Sequence, residues 1–339
     1  MRAAITGGGG FLGKAISRRC RARGWEVRAV GRAPRPELAA EGVEYFRLDV
    51  SDEKNGSALA EIFSGADVVF HTAAKAGVWG KYKDFERANL AGTRCVVEAC
   101  RRAGTRNLVH TSTPSVVFSG ASIAGGNESL PYCVSSLSPY AKTKAEAEAF
   151  VRAAHAPELR TVSLRPHLIW GPGDPHLLPR VIAQAAQMKL RIVGDGKNKV
   201  DLTHVENAAH AHLLAADALL ADAPALCGDA APAGNGRAYF VSDGAPVVLW
   251  DWINAFLNGV GVPAVAQKIS FGNAYRAGAF LEFFWKIFGV AGEPPITRFV
   301  ATELSHDHWF DISAIRRDLG YAPVVSGDDG LRELIAAFR

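Results

Sequence analysis

The sequence predicts an α/β fold: a doubly wound parallel sheet with a smaller C-terminal lobe. Three observations predict it. A short apolar run, Ala3-Ala4-Ile5-Thr6, ends in the glycine cluster Gly7 to Gly10 and passes straight into a helical pattern from Phe11 to about Arg23. Apolar strands then alternate with helical stretches, the rhythm of strand–helix–strand units that pair in parallel. From about Leu177 the rhythm changes, so residues 1–176 are assigned to the sheet and 177–339 to a second lobe, partly interleaved with the first.

The glycine cluster says what the sheet is for. Gly7, Gly10 and Gly13 form G-x-x-G-x-x-G at a strand-to-helix turn. There the first glycine allows the sharp turn, and the second lets a pyrophosphate approach bare backbone. The third lets the helix pack closely on the strand. The helix N-terminus at Phe11 and Leu12 adds amide donors and the positive end of its dipole. Residues 1–176 therefore read as a dinucleotide-binding, or Rossmann, domain. Gly8 to Lys14 also fits the opening of a P-loop, but Ala15 stands where such a loop needs Ser or Thr for magnesium.

Composition narrows the class. Hydrophobic residues make up 48% and charged residues 21%, ordinary for a globular enzyme. The net charge of +4 is spread along the chain, and no basic block with interleaved aromatics points to nucleic acid. The first strand starts at the first residues, leaving no room for a signal peptide. No uncharged apolar run is long enough to span a membrane. Cys20, Cys95, Cys100, Cys133 and Cys227 form no C-x-x-C and read as reduced thiols of a cytoplasmic protein. Neither His204, His210 and His212 nor His306 and His308 have the spacing of a complete metal site, so no metal is expected.

In chain order, Glu26 to Val30 reads as the second strand and ends in Gly31-Arg32, with Arg35 close behind. In NAD-binding folds an acidic residue near this point holds the ribose hydroxyls. Here there is none, and a guanidinium instead offers two donors to a 2′-phosphate. NADP (as NADPH) is the expected cofactor, with NAD second. Val43 to Val50 reads as the third strand, and Asp49 and Val50 at its end suit an adenine edge. A helix over Ala58 to Phe63, a strand from Asp67 to His71, the small residues Ala73 and Ala74 in the cofactor's path, a long helix from Phe85 to Ala103 and a strand from Asn107 to Thr111 follow.

Ser138-Pro139 opens a helix that carries Tyr140 and Lys144 on one face, at i,i+4. Thr111-Ser112-Thr113-Pro114-Ser115 closes the fifth strand. A free tyrosine, with a pKa of about 10, is a poor acid–base group at neutral pH. A lysine ammonium one turn away, with an oxidised nicotinamide nearby, moves the phenol toward working range. The Thr113 hydroxyl would hold a substrate oxygen against that phenol. Tyr and Lys occur at this spacing on many helices by chance; the glycine turn and the hydroxyl cluster make the pair a redox site.

Thr6-Gly7-x-x-Gly10-x-x-Gly13, Tyr140-x-x-x-Lys144, Leu164-Arg165-Pro166 and Gly171-Pro172 resemble the extended short-chain dehydrogenase/reductases. Within them, His71-Thr72-Ala73-Ala74, Thr111 through Phe118, Tyr239 through Gly244 and Trp309-Phe310-Asp311 look like the 3β-hydroxysteroid dehydrogenase family. The loop Ala74 through Gly80 and the segment Pro294 through Ala301 are similar to the bacterial 2-alkyl-3-oxoalkanoate reductases of olefin biosynthesis. The resemblance implies Tyr140 as acid/base, Lys144 as its modulator and Thr113 as the hydroxyl member, where the family more often has Ser. It places Pro166 and His167 beside the nicotinamide, and it makes Asn89 an anchor of the cofactor half, with Thr111 alongside.

In the second lobe, Arg191 to Val193, Val200 to His204 and Ala238 to Val241 read as strands, with helices over Glu206 to Leu220 and Trp250 to Leu257. Ala221 to Gly236 reads as a loop. Phe271 to Val290 reads as an amphipathic helix: at 100° per residue Ala274, Phe280, Leu281, Phe284, Trp285 and Phe288 group together, away from Arg276, Glu282 and Lys286. That apolar face reads as core, greasy substrate channel, membrane-surface contact or partner interface, and the resemblance favours an alkyl-chain channel. Candidate substrate residues are Lys75, Trp79, Ser115, Phe280 and Phe284. The expected function is NADPH-dependent reduction of a 2-alkyl-3-oxoalkanoate, a lipid-like small molecule, in a homodimer with peripheral membrane or pathway-enzyme contact. The alternatives are a 3β-hydroxysteroid or sterol-carboxylate dehydrogenase and a dinucleotide-sensing regulator.

Overall fold

Apolar strands alternating with amphipathic helices bury both sheet faces when the helices cover them, as parallel sheets require. The structure, a computed structural model, describes residues 1–133, 135–175, 177–227 and 234–338. Strands β1 (Arg2–Thr6), β2 (Glu26–Gly31), β3 (Val43–Arg47), β4 (Val68–His71), β5 (Asn107–Thr111), β6 (Arg160–Pro166) and β7 (Arg237–Val241) form one sheet. Its order is β3-β2-β1-β4-β5-β6-β7, with every neighbouring pair parallel. The order reverses between β1 and β4, and a doubly wound sheet binds ligands outside the strand ends at that reversal.

Side chains alternate across the sheet. Ala3 and Ile5 of β1 join one apolar cluster with α1 (Phe11–Ala22). Ala4 joins the opposite cluster with α2 (Gly56–Phe63) and α3 (Gly92–Ala103). Helix α4 (Pro139–Ala153) is followed by the lobe helix α5 (Leu177–Ala186) and by α6 (Val205–Leu220), which returns to cover β5 and β6 from the α1 side. The lobe has its own core, in which Trp170, Leu178, Trp250, Ile253, Phe256 and Leu334 are buried. Helices α7 (Leu249–Gly259), α8 (Phe271–Phe288) and α9 (Arg298–Glu303) belong to it.

The two halves exchange elements. β7, beyond residue 177, closes the main sheet, while Ile123–Gly126 pairs with His308–Phe310 in a four-stranded lobe sheet. Several boundaries differ from the sequence reading. Tyr82–Phe85, a π-helical segment Glu86–Ala91 and α3 replace one continuous helix. β3 stops at Arg47 because Asp49 turns its carboxylate back onto the Ser51 amide (3.0 Å) and hydroxyl (2.7 Å). The run Val200 to His204 divides: Lys199–Val200 enters the lobe sheet, and Thr203–His204 pairs with Ile169–Trp170. A helical turn, Pro224–Cys227, interrupts the stretch read as a loop, and residues 228–233 of that stretch lie outside the described residues. Among the described residues no helix is long and apolar enough to cross a membrane.

Candidate active site

The glycine turn opens onto a crevice of about 570 Å³ at the β1/β4 reversal. Gly7 takes φ +71°, a region costly for any residue with a Cβ. A Cβ on Gly13 would stand 2.3 Å from the Gly7 carbonyl oxygen, so only glycine lets α1 start this close to β1. At Gly10 a Cβ would meet only that same oxygen, at 3.1 Å, and otherwise point into open space. That is the cradle a pyrophosphate needs, and the residues present fit a dinucleotide. Gly7, Gly10, Arg32, Asp49, Val50, Ala73 and Ala74 line the crevice, together with Arg35, Tyr45 and Leu48. Phe11 and Leu12 open α1 at its edge.

Asn89 sits in the π-helical segment and acts on two neighbours. Its Oδ1 accepts from the Lys75 amide (2.7 Å), and its Nδ2 donates to the Lys75 carbonyl (3.2 Å) and to Thr143 Oγ1 of α4 (3.1 Å). It thus ties the crevice loop to the catalytic helix. Lys75 lies on the crevice rather than the apolar cavity described below, with its ammonium 5.2 Å above the Phe85 ring.

The residues expected to be catalytic come together at the end of β5. Ser138 caps α4 by accepting from the Ala141 amide, which aims Tyr140 and Lys144 at the strand ends. Burial pushes the Tyr140 phenol up to about 12; a hydrogen bond with Thr113 pulls it down, and the nearby Glu303 carboxyl pushes it up. The Lys144 ammonium does not face the phenol. It donates to the Thr111 carbonyl (2.6 Å) and to His110 Nε2 (3.2 Å), and burial brings it down to about 8. Two of the three ammonium donors are held at the β5 end, and the groups that act on the phenol in the protein alone are Thr113 and Glu303 rather than the lysine. Thr113 also contacts Ser115: its Oγ1 donates to Ser115 Oγ and accepts from the Ser115 amide, both at 3.3 Å. Thr111 Oγ1 lies 2.8 Å from His212 Nε2. Pro166 ends β6, and the buried His167 beside it contacts His308 through Nε2 and Nδ1 at 2.8 Å, their rings stacked.

A second cavity, of about 550 Å³, lies in the lobe between α5, α7 and α9. Leu168, Val181, Leu202, Trp250, Ile253 and Val300 make its wall apolar, and Glu303 and His308 bring it to the catalytic side. Val78 of the Ala74 to Gly80 loop reaches it; Trp79 is half-buried beside that residue.

The channel expected along α8 is not where Phe280 and Phe284 lie. They are 66% and 38% exposed, and with Phe283, Ile287 and Phe288 they form an outward apolar stripe. The face turned inward carries Ala274 and Gly278, where a Cβ on Gly278 would stand 2.7 Å from the Arg298 amide nitrogen. Glu282 accepts from the Arg298 amide (2.6 Å) and side chain (2.8 Å) on the same side. The stripe read from the sequence thus straddled a border: Leu281 and Trp285 turn inward, and the phenylalanines turn out.

Residues 4–271 match the 3-beta hydroxysteroid dehydrogenase/isomerase family. The chain belongs to that family. It is 46% identical over 340 residues to a 2-alkyl-3-oxoalkanoate reductase of Stenotrophomonas maltophilia, covering 99% of each chain. It is 30% identical over 343 residues to the sterol-4-alpha-carboxylate 3-dehydrogenase, decarboxylating, of Homo sapiens, covering 100% of this chain and 88% of that one. Its fold is also that of a UDP-glucose 4-epimerase from Brucella ovis in complex with NAD, at a TM-score of 0.74, 22% identity and coverage of 99% and 98%. As a member of the 3-beta hydroxysteroid dehydrogenase/isomerase family, the chain is an NAD(P)-dependent oxidoreductase.

Some site residues escaped the sequence reading. Glu148, one turn beyond Lys144, is fully buried and holds Arg165 through Nη2 (2.6 Å) and Nε (2.9 Å), with Tyr132 donating to it at 2.7 Å. The continued i,i+4 spacing from Tyr140 through Lys144 to Glu148 was the available signal. His110, which receives the Lys144 ammonium, and Glu303, some 160 residues from Tyr140 in the chain, carried no local signal.

Proposed function

We propose that the chain is an NADPH-dependent ketoreductase that converts a 2-alkyl-3-oxoalkanoate to the 2-alkyl-3-hydroxyalkanoate. The observation that carries this reading is the Tyr140–Thr113 pair, acted on by Glu303 from the wall of an apolar cavity of about 550 Å³, in a chain that also has a dinucleotide crevice. The likeness to the Stenotrophomonas reductase along the full chain supports the substrate class.

A reduced nicotinamide held in the crevice would supply the hydride for the ketone carbon. Thr113 and Tyr140 grip the ketone oxygen, and Tyr140 delivers its proton as the oxygen gains charge. A phenol pushed up to about 12 keeps that proton until it is needed, which suits an acid in a reduction. Lys144 fixes the Thr111 carbonyl and sets a positive charge beside the site. Pro166 and His167 would flank a bound nicotinamide, and the apolar lobe wall would take the alkyl chains, each buried methylene gaining about 0.8 kcal/mol. Preference for NADPH rests on the bare end of β2 at Gly31 and on Arg32 and Arg35 in the crevice. Trp79 and Ser115 stand at the substrate's approach, and Lys75 at the cofactor's.

The same reading takes the exposed α8 stripe as a docking face for a membrane surface or a pathway enzyme, and the chain as a cytoplasmic homodimer, which sedimentation velocity tests. The kinship with the sterol-carboxylate dehydrogenase favours a second reading, in which the same residues run an oxidation on a rigid polycycle. Steady-state rates with both substrates and both cofactors decide between the two. A higher kcat/KM for the keto acid with NADPH supports the first reading, and a higher one for the sterol carboxylate with NAD supports the second.

A further inference from the structure

The apolar cavity holds one acidic group. Glu303 ends α9 and forms part of the cavity wall. Its backbone carbonyl accepts from His308 Nε2 at 2.7 Å, but its carboxyl makes no hydrogen bond or ion pair with any described residue. Of the cations around the cavity, Arg180 pairs with Glu293 and Arg298 of the same helix with Glu282, while Lys189 and Arg191 stand on the exposed rim, bonded to the neutral side chains of Gln187 and Gln267. The carboxyl is also near enough to Tyr140 for its charge to act on the phenol.

We propose that the Glu303 carboxylic acid is the partner of the substrate's carboxylate. The assignment rests on the reductase reading above. In a 2-alkyl-3-oxoalkanoate the carboxylate carbon is two bonds from the ketone carbon. With the ketone oxygen on Tyr140 and Thr113, the carboxylate is confined to the space around the phenol, where the cavity wall is apolar and Lys144 is bound to the Thr111 carbonyl and His110. A carboxylate cannot enter such a space unpaired. A neutral acid can donate to it, in the short O–H···O⁻ bond that ionised acceptors form. Burial pushes Glu303 up to about 8, so at neutral pH it carries the proton this bond needs. Once ionised, it repels the same ligand.

The sign follows: keto-acid binding is strong below about pH 8 and weakens above it, as Glu303 loses its proton. The groups beside Glu303 are Tyr140, pushed up to about 12, and His308, with His167 stacked behind it, and burial lowers both histidines so that they stay neutral here. Lys144 farther along α4 comes down to about 8 and titrates in the same window, and its charge acts on the carboxylate but not on the ketone, so the two probes must be compared on both the wild type and E303Q, and only a rise that E303Q abolishes belongs to Glu303.

The experiment measures KM at saturating NADPH from about pH 6 to about pH 10 for a 2-alkyl-3-oxoalkanoate and for the ketone left by its decarboxylation. If the ketone is not turned over, its Ki against the keto acid replaces its KM. The ratio of keto-acid KM to ketone KM is expected to rise about tenfold per pH unit above about 8. E303Q keeps a donor but cannot ionise, and holds the ratio constant over this range. Glu303→Leu raises the ratio at least about tenfold at neutral pH, since one charge-assisted bond is lost. Parallel pH profiles for the two probes in the wild type overturn the assignment, whether or not the variants fold. A wild type that binds NADPH and reduces neither probe overturns the reductase reading itself.

Discussion

Replacing Arg32 or Arg35 with alanine is expected to erase the proposed preference for NADPH. β2 ends at Gly31 without a carboxylate, and both arginines line the crevice. The methylenes of Arg35 lie over the phosphate turn: a Cβ on Gly9 would stand 2.7 Å from its Cγ. Its guanidinium has only a loose partner, Glu37 at 3.9 Å, with both side chains more than 40% exposed. Swinging it onto a 2′-phosphate therefore breaks little. A hydrogen bond to a charged group contributes about 1.5–3 kcal/mol, so each substitution should weaken NADPH about ten- to a hundredfold. NADH lacks that phosphate and should bind nearly as before. Fluorescence titration of both cofactors against wild type, Arg32→Ala, Arg35→Ala and the double variant measures this. Equal losses for NADPH and NADH refute the reasoning. The structure also says how to build the opposite preference. A Cβ at residue 31 would stand 2.4 Å from Tyr45 Oη, which donates to the Ala33 carbonyl at 2.7 Å. Gly31→Asp should therefore favour NADH only when combined with Tyr45→Ala.

Tyr140→Phe keeps the ring and removes the proton donor; turnover should fall roughly 10²–10⁴-fold while NADPH titrates as in wild type, and near-normal turnover would assign the acid to another group. Glu148→Ala leaves Arg165, 1% exposed, without its ion partner; denaturant titration should show a loss of about 3–5 kcal/mol, and a loss below about 1 kcal/mol would count against this pair as a structural element of the site. Phe283→Ser with Phe288→Ser removes two of the most exposed rings of α8; co-sedimentation with phospholipid vesicles should fall at least about tenfold, and unchanged partitioning would remove the membrane surface as the partner of this face.

The main sheet and the cofactor crevice were legible because their signals are local. Three glycines at fixed spacing, and strands alternating with helices, need no knowledge of distant contacts. Tyr140 and Lys144 were legible for the same reason, one turn apart on a capped helix. What the lysine does was not, because its orientation depends on the Thr111 carbonyl and on His110, both set by β5. β7 read as a lobe strand because a five-residue apolar run does not say which sheet edge it joins. The apolar period of α8 was visible, but its inward direction is decided by Gly278 packing on the start of α9 and by the Glu282–Arg298 pair. A small residue at a close helix contact leaves no mark in a hydrophobic pattern. Glu303 was invisible for a related reason: an acidic residue at a helix end looks solvated until the fold puts it in a cavity wall.

The most direct measurement is product analysis after incubating the enzyme with NADPH and a 2-alkyl-3-oxoalkanoate, beside the same enzyme with NADP⁺ or NAD⁺ and a sterol 4-carboxylate. The expected result is one 2-alkyl-3-hydroxyalkanoate formed per NADPH consumed, abolished by Tyr140→Phe, with little or no turnover of the sterol. A folded, NADPH-binding enzyme that leaves the keto acid untouched, or that oxidises the sterol carboxylate with the higher kcat/KM, would contradict the assignment of this chain as a 2-alkyl-3-oxoalkanoate reductase.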